Sequence, residues 1–85
     1  MEIEQLRVFL TLAETKNFTR AAERLFVSHS TVSRSLSALE DELGVRLVER
    51  DNRVVCLTAA GERLRERANE LVSLADAIDE EIRNI

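Results

Sequence analysis

The chain has 85 residues, of which 45 % are apolar and 33 % are charged, so it can form one small domain with a modest core. The absence of proline and the presence of two glycines favour a mostly helical protein with few irregular loops. Its single cysteine, Cys56, excludes an intramolecular disulfide, and no apolar run approaches the roughly 20 residues of a transmembrane helix. We therefore expect a cytoplasmic protein with no membrane partner.

The net charge of −4 argues against an anionic partner until its distribution is considered. Residues 16–39 contain four basic residues and one acidic residue, whereas residues 58–85 contain four arginines and seven acidic residues. Only the basic segment would need to face a polyanion such as nucleic acid.

Two helices are predicted first. Apolar residues recur at helical spacing through EIEQLRVFLTLAETK, at Ile3, Leu6, Phe9, Leu10 and Ala13. Asn17 is then expected to end this helix in a left-handed conformation. Thr19 is expected to cap a second, short helix with an inner face of Ala21, Ala22 and Leu25.

The stretch VSHSTVSRSLSALE has five serines, a composition typical of linkers. However, its apolar residues are spaced by four, three and four, at Val32, Leu36, Leu39 and Leu43, which predicts a third helix. Ser28 is its expected N-cap and Gly44 its expected end. The opposite face presents His29, Ser30, Ser33, Arg34 and Ser37.

Only residues 26–28 separate the second and third helices, a spacing typical of a helix-turn-helix. The β-branched runs VRLVER and VVCL, around a polar tip at residues 51–53, then predict a small β-hairpin in which Cys56 is buried. The acidic run at residues 40–42 is expected to be a solvated helix face. Arg46 and Arg50 fit ion pairs with nearby acids and phosphate contacts equally well.

Thr58 is the expected cap of a last helix that runs to the end of the chain. Its apolar residues are spaced alternately by four and three, at Leu64, Ala68, Leu71, Ala75, Ile78, Ile82 and Ile85. Such a seam can fold back on its own domain or bind a second copy. We favour a dimer, because a helix this long extends beyond so small a domain. Arginines near its start and acids near its end favour an antiparallel pair.

The segments LRVFLTLAETKNFTRAAERLFVS, TVSRSLSALEDELGVRLVER and LTAAGE resemble, in order and spacing, the N-terminal DNA-binding domain of LysR-type transcriptional regulators. The resemblance implies a mainly α-helical fold with a small β-hairpin: a winged helix-turn-helix at residues 1–57 and a dimerising linker helix at 58–85. The chain departs from the family pattern at His29, usually glutamine, and at Val48, usually phenylalanine. The base preference at His29 is therefore open.

By this resemblance, the third helix enters the major groove and the hairpin, or wing, reaches a minor groove. Arg34 is the strongest candidate for a base contact, because its guanidinium can bind guanine O6 and N7 together. The expected base contacts are His29, Ser30, Ser33 and Arg34; the phosphate contacts Thr19, Arg20, Ser28, Thr31 and Ser37; and the wing contacts Asn52 and Arg53.

The predicted function is sequence-specific binding of double-stranded, pseudo-palindromic DNA by a homodimer. The resemblance implies that an effector ligand would bind only through a C-terminal domain that this chain lacks. The chain would then be a fragment of a longer regulator or a naturally short protein, and we favour the fragment. No spacing of residues indicates a metal, a cofactor or an enzyme. The alternative is a protein-interaction module that acts through residues 64–85 without DNA.

Overall fold

The computed structural model describes residues 1–49 and 54–85. It confirms the predicted fold class, with four helices and a two-stranded hairpin in the described residues. In chain order these are α1 (Ile3–Thr15), α2 (Phe18–Leu25), α3 (His29–Leu43), β1 (Val48–Glu49), β2 (Cys56–Leu57) and α4 (Ala59–Arg83). In these two ranges no helix combines the length and the apolar character that crossing a membrane requires.

Three predicted helix ends are confirmed. Ser28 caps α3, because its Oγ accepts the Thr31 N–H at 3.2 Å. Gly44 ends α3 with a φ of 70°, where a residue without Cβ avoids steric strain. Thr58 caps α4, because its Oγ1 accepts the Gly61 N–H at 3.1 Å.

The prediction for the turn between α1 and α2 was wrong. Lys16, not Asn17, is left-handed, with a φ of 57°. Asn17 is extended instead, and its Oδ1 caps α2 by accepting the Arg20 N–H at 2.9 Å, so Thr19 lies inside the helix. Asparagine suits both a helix stop and an N-cap, and in a two-residue connection its use as the cap leaves the left-handed position to Lys16.

The core lies where the first three helices meet the hairpin and the start of α4. Val48, in β1, is only 2 % exposed and packs in the core. The spacing of Val32, Leu36, Leu39 and Leu43 correctly predicted α3, but Leu43, the last residue of the helix, is 40 % exposed and lies outside the core. The buried apolar residues are Leu6, Phe9, Leu12, Ala13, Ala21, Ala22, Val32, Leu36, Leu39, Leu47, Val48, Val55 and Ala68.

Glu40 corrects the expectation of a solvated face at residues 40–42. Its side chain is 5 % exposed, whereas Asp41 and Glu42 are exposed. Its Oε2 accepts the backbone N–H of Leu47 at 2.8 Å, so the buried carboxylate is stabilised by a charge-assisted hydrogen bond. Glu40 thus ties the end of α3 to the segment that leads into β1.

The hairpin is antiparallel, with Val48 opposite Leu57 and Glu49 opposite Cys56. The prediction of a buried Cys56 was wrong, because this residue is exposed while its neighbour Val55 is buried. Side chains alternate between the two faces of a strand, so burial of Val55 turns Cys56 outward. The predicted tip at residues 51–53 lies outside the described residues.

The first turn of α4 is anchored to the segment before β1. Thr58 donates its hydroxyl to the Arg46 carbonyl at 2.6 Å and its N–H to the Leu47 carbonyl at 3.0 Å. A Cβ on Gly61 would lie 2.1 Å from that same carbonyl oxygen, so the close approach requires glycine. These contacts fix where α4 begins relative to the hairpin.

The two halves of α4 have different surroundings. Ala68 is 1 % exposed in the core, and Leu64 and Val72 pack against that core. The proposed role of Ala68 in a dimer interface is therefore corrected, because its side chain is buried within its own chain and has no surface left for a partner. Leu64 is partly buried against the same core, so little of its side chain could contact a partner. Ala75 is half-buried. The large apolar residues left exposed from position 71 onward are Leu71, Leu74, Ile78, Ile82 and, after the end of the helix, Ile85.

Candidate nucleic-acid interface

The outer face of α3 is polar and accessible over most of its length. Burial of Val32, Leu36 and Leu39 fixes which side of the helix faces the core. The remaining side carries four exposed candidates, His29, Ser30, Arg34 and Ser37, while Ser33 is half-buried at its margin. Short hydroxyl side chains on such a face let a helix approach a surface closely, with Arg34 as its longest side chain.

The N-terminal ends of α2 and α3 carry most of the other candidates. Thr19 and Arg20 are exposed in the first turn of α2, and Ser28 is exposed at the start of α3. Ser28 and the half-buried Thr31 are already engaged with each other, with 2.9 Å between their hydroxyl oxygens. A hydroxyl can take part in more than one hydrogen bond, so this pairing still leaves capacity for a phosphate oxygen.

In the part of the chain that the structure describes, two exposed arginines of α2 and α3 have no acidic partner. Within residues 1–49 and 54–85, neither Arg20 nor Arg34 forms an ion pair, and both are exposed. By contrast, Arg24 contacts Glu14, with 2.8 Å between Nη1 and Oε1. The positive charge available to an anion on α2 and α3 therefore comes mainly from Arg20 and Arg34.

One contact at this surface was not expected from the sequence. The ring of Phe18, at the start of α2, lies 5.3 Å from the imidazole of His29, at the start of α3, measured between centroids. No local spacing indicates this pair, because the residues are eleven positions apart and meet only through the turn between the helices.

The wing residues Asn52 and Arg53 lie outside the described residues, as does Arg50. Arg46 approaches Glu40, with 3.9 Å between Nη1 and Oε1, and its side chain is 68 % exposed. Such a long, solvated ion pair leaves the guanidinium accessible, so both interpretations of Arg46 stand.

The acidic end of α4 is linked to α1 by an ion pair. Arg7 donates to both carboxylate oxygens of Asp76, at 2.7 and 3.4 Å. The hydrogen bond from Arg7 holds the pKa of Asp76 below its usual value, and the same bond raises the pKa of Arg7. Asp76 is therefore engaged within its own chain, as is Asp79, which contacts Arg83 at 2.8 Å.

Fold and surface together define a winged helix-turn-helix followed by a long helix with an exposed apolar face. Comparison with known proteins places this unit. Residues 3–62 match the family described as "Bacterial regulatory helix-turn-helix protein, lysR family". The chain belongs to this family.

Individual relatives agree. The chain is 51 % identical over 65 residues to the HTH-type transcriptional activator IlvY of Salmonella typhimurium, a match that covers 76 % of this chain and 22 % of IlvY. It is 40 % identical over 85 residues to the HTH-type transcriptional activator AllS of Klebsiella pneumoniae, covering 100 % of this chain and 32 % of AllS. The chain thus spans between a fifth and a third of the length of these relatives.

Two similar solved structures are complexes with DNA. The CbnR_DBD-DNA complex superposes with a TM-score of 0.92 at 42 % identity, covering 99 % of this chain and 97 % of that one. The BenM_DBD/catB site 1 DNA complex superposes with a TM-score of 0.96 at 35 % identity, covering 100 % and 94 %.

Proposed function

We propose that the chain is the DNA-binding module of a transcription regulator and that it recognises a specific sequence in double-stranded DNA. The observation that carries this proposal is the outer face of α3, where short polar side chains surround an exposed Arg34 free of acidic partners in the described residues. Such a helix fits a major groove, where arginine can bind guanine with two hydrogen bonds. The DNA complexes of CbnR and BenM domains support it.

The proposed contacts divide into two groups by their place on the helices. Side chains on the outer face of α3 contact bases: His29, Ser30, Ser33 and Arg34. The other side chains contact phosphates and fix the orientation of the module: Thr19 and Arg20 at the start of α2, Ser28 and Thr31 at the start of α3, and Ser37 further along the outer face of α3. Asn52 and Arg53 complete the proposal as wing contacts to a minor groove.

The module is proposed to act as a homodimer. The exposed large apolar residues of α4, from Leu71 to Ile82, and Ile85 just after its end would form a face that a second copy removes from water. If the α4 helices of two copies pair in antiparallel orientation, each copy's α3 helix could bind one half of a pseudo-palindromic site. The arginines early in α4 would then lie near the partner's acidic end, where Glu80 and Glu81 are exposed.

We also infer a cytoplasmic location and a role without enzymatic activity. Membership of a family of bacterial regulators supports both inferences. The rival hypothesis, an interaction module that uses α4 alone, is less well supported because it gives the polar face of α3 no role.

Duplex binding at several salt concentrations tests the proposal. Each phosphate that a basic residue neutralises releases counterions, so the logarithm of the association constant should fall linearly with that of the salt concentration, with a slope of about −0.9 for each phosphate contact. A pool of random duplexes serves as the probe, with single-stranded DNA of the same composition as the control. Absence of duplex binding at low salt would favour the interaction module.

A further inference from the structure

His29 lies against an aromatic ring although its side chain is exposed. Its imidazole and the ring of Phe18 have centroids 5.3 Å apart and planes tilted by 35°, within the range of favourable aromatic pairs. Phe18 is half-buried and packs against the core, so its ring is held from below. The fixed ring therefore restricts the rotamers of a side chain that would otherwise move freely in water.

The backbones of both residues are fixed as well. Phe18 is the first residue of α2, directly after the Asn17 cap, and His29 is the first residue of α3, directly after the Ser28 cap. With both helix starts held by caps, the side-chain torsions of His29 are its main remaining freedom. Phenylalanine has no donor or acceptor, so the contact leaves both imidazole nitrogens available for hydrogen bonds.

We propose that Phe18 is a positioning residue that determines the base preference of His29. The ring holds the imidazole in one orientation at the start of α3, so that its nitrogens meet one pattern of donors and acceptors on the base edges. This inference rests on the proposed function, because it assumes that α3 enters the major groove. It adds a residue from α2 to sequence recognition, although Phe18 itself need not touch DNA.

The contact can be tested without DNA by NMR of the full chain. His29 is the only histidine, so its ring protons are identified without ambiguity. We expect these protons to be displaced from their random-coil shifts by the ring current of Phe18. Phe18→Leu should return them toward random coil, whereas Phe18→Tyr, which keeps the ring, should leave them displaced. Phe26→Leu, at a phenylalanine 95 % exposed, is the control and should also leave them displaced.

Selection of bound sites from random duplexes tests the functional step. Phe18→Leu should relax the preference at the same base pairs as His29→Ala, by about two- to tenfold, the range expected for loss of one aromatic pair. Phe18→Tyr should retain the wild-type preference. In a His29→Ala background, Phe18→Leu should cause no further relaxation, because the residue that it positions is gone.

Two results would overturn this inference and leave the proposed function standing. One is that the chemical shifts of the His29 ring protons do not change in Phe18→Leu. The other is that Phe18→Leu loses the same affinity for selected and for unselected duplexes. The second result would mean that Phe18 supports only the fold. Failure of the wild-type chain to bind any duplex would overturn the proposed function, and with it this inference, whatever the NMR shifts show.

Discussion

At the end of α3, the carboxylate of Glu40 organises the segment that leads into the hairpin. It accepts the Leu47 N–H at 2.8 Å and lies 3.9 Å from the Arg46 guanidinium, while its side chain is 5 % exposed. A buried N–H that loses its acceptor retains the cost of its desolvation. Glu40 therefore helps to hold the segment before β1 against the end of α3.

Glu40→Ala should lower the free energy of unfolding by about 1 to 3 kcal/mol, because it removes the acceptor of a buried backbone N–H. Urea denaturation followed by circular dichroism measures the change. Asp41→Ala is the matched control, since Asp41 is the exposed acid next in the chain and its loss should change stability by less than about 0.5 kcal/mol. Equal effects of the two substitutions would contradict the role given to Glu40.

Single residues set the limit of what sequence reasoning could predict. Periodicity gave the buried stripe of α3 at Val32, Leu36 and Leu39, but it could not reveal that Glu40 is buried too, because the groups that satisfy its charge come from residues 46–48. In the hairpin, strands of two residues carry too little alternation to show which face is inward, so the side of Cys56 was predicted wrongly.

At the scale of elements, the sequence predicted where most helices begin and end better than it predicted which residues of the helices are buried. Ser28, Gly44 and Thr58 were predictable because a cap depends mainly on neighbouring residues. At the turn between α1 and α2 the same reasoning failed, because Asn17 suits both a helix stop and an N-cap. The apolar residues of α4 have different surroundings in the two halves of the helix. Ala68, in the first half, is buried in the chain's own core, whereas Ile78, in the second half, is exposed. Heptad spacing is the same in both halves and cannot separate them.

The pair of Arg7 and Asp76 joins α1 to the second half of α4 and gives this connection a pH dependence. The pKa of Asp76 is lowered in the folded chain, so its stabilisation is fully present above the unfolded pKa of about 4 and is lost as the pH falls through the folded value. The raised pKa of Arg7 keeps the arginine charged throughout this range.

Asp76→Asn should therefore cause a small decrease in melting temperature at neutral pH, and the difference from wild type should shrink as the pH falls below about 4. Thermal unfolding between acidic and neutral pH measures it. Asp79→Asn is the control, because Asp79 pairs with Arg83 inside α4 and connects no second helix. A difference that is independent of pH would show that the Asp76 carboxylate does not contribute through its charge.

At the scale of the whole molecule, α4 makes the chain elongated, with a longest dimension of 48 Å against 25 and 19 Å. A 25-residue helix is about 37 Å long, so much of its second half extends past the helix-turn-helix. Its exposed apolar residues are the reason for proposing a dimer, and the core position of Ala68 means that α4 cannot be removed to test it.

Ile78→Glu should convert the proposed dimer to a monomer, because it places a charge in the centre of the apolar face. Analytical ultracentrifugation measures the mass, and circular dichroism checks that the helix content is kept. Asn69→Glu adds the same charge at an exposed polar position of α4 and should leave the dimer intact. A wild-type chain that sediments as a monomer at high concentration would contradict the interface.

Arg34 offers the sharpest test of whether the outer face of α3 recognises a DNA sequence. Affinities of the wild type and of Arg34→Ala should be measured on a selected duplex and on a duplex of unrelated sequence. Because Arg34→Ala removes a base contact, we expect a loss of about 1 to 3 kcal/mol on the selected duplex and a much smaller loss on the unrelated one. An equal loss on both would make Arg34 a phosphate contact and would contradict the claim.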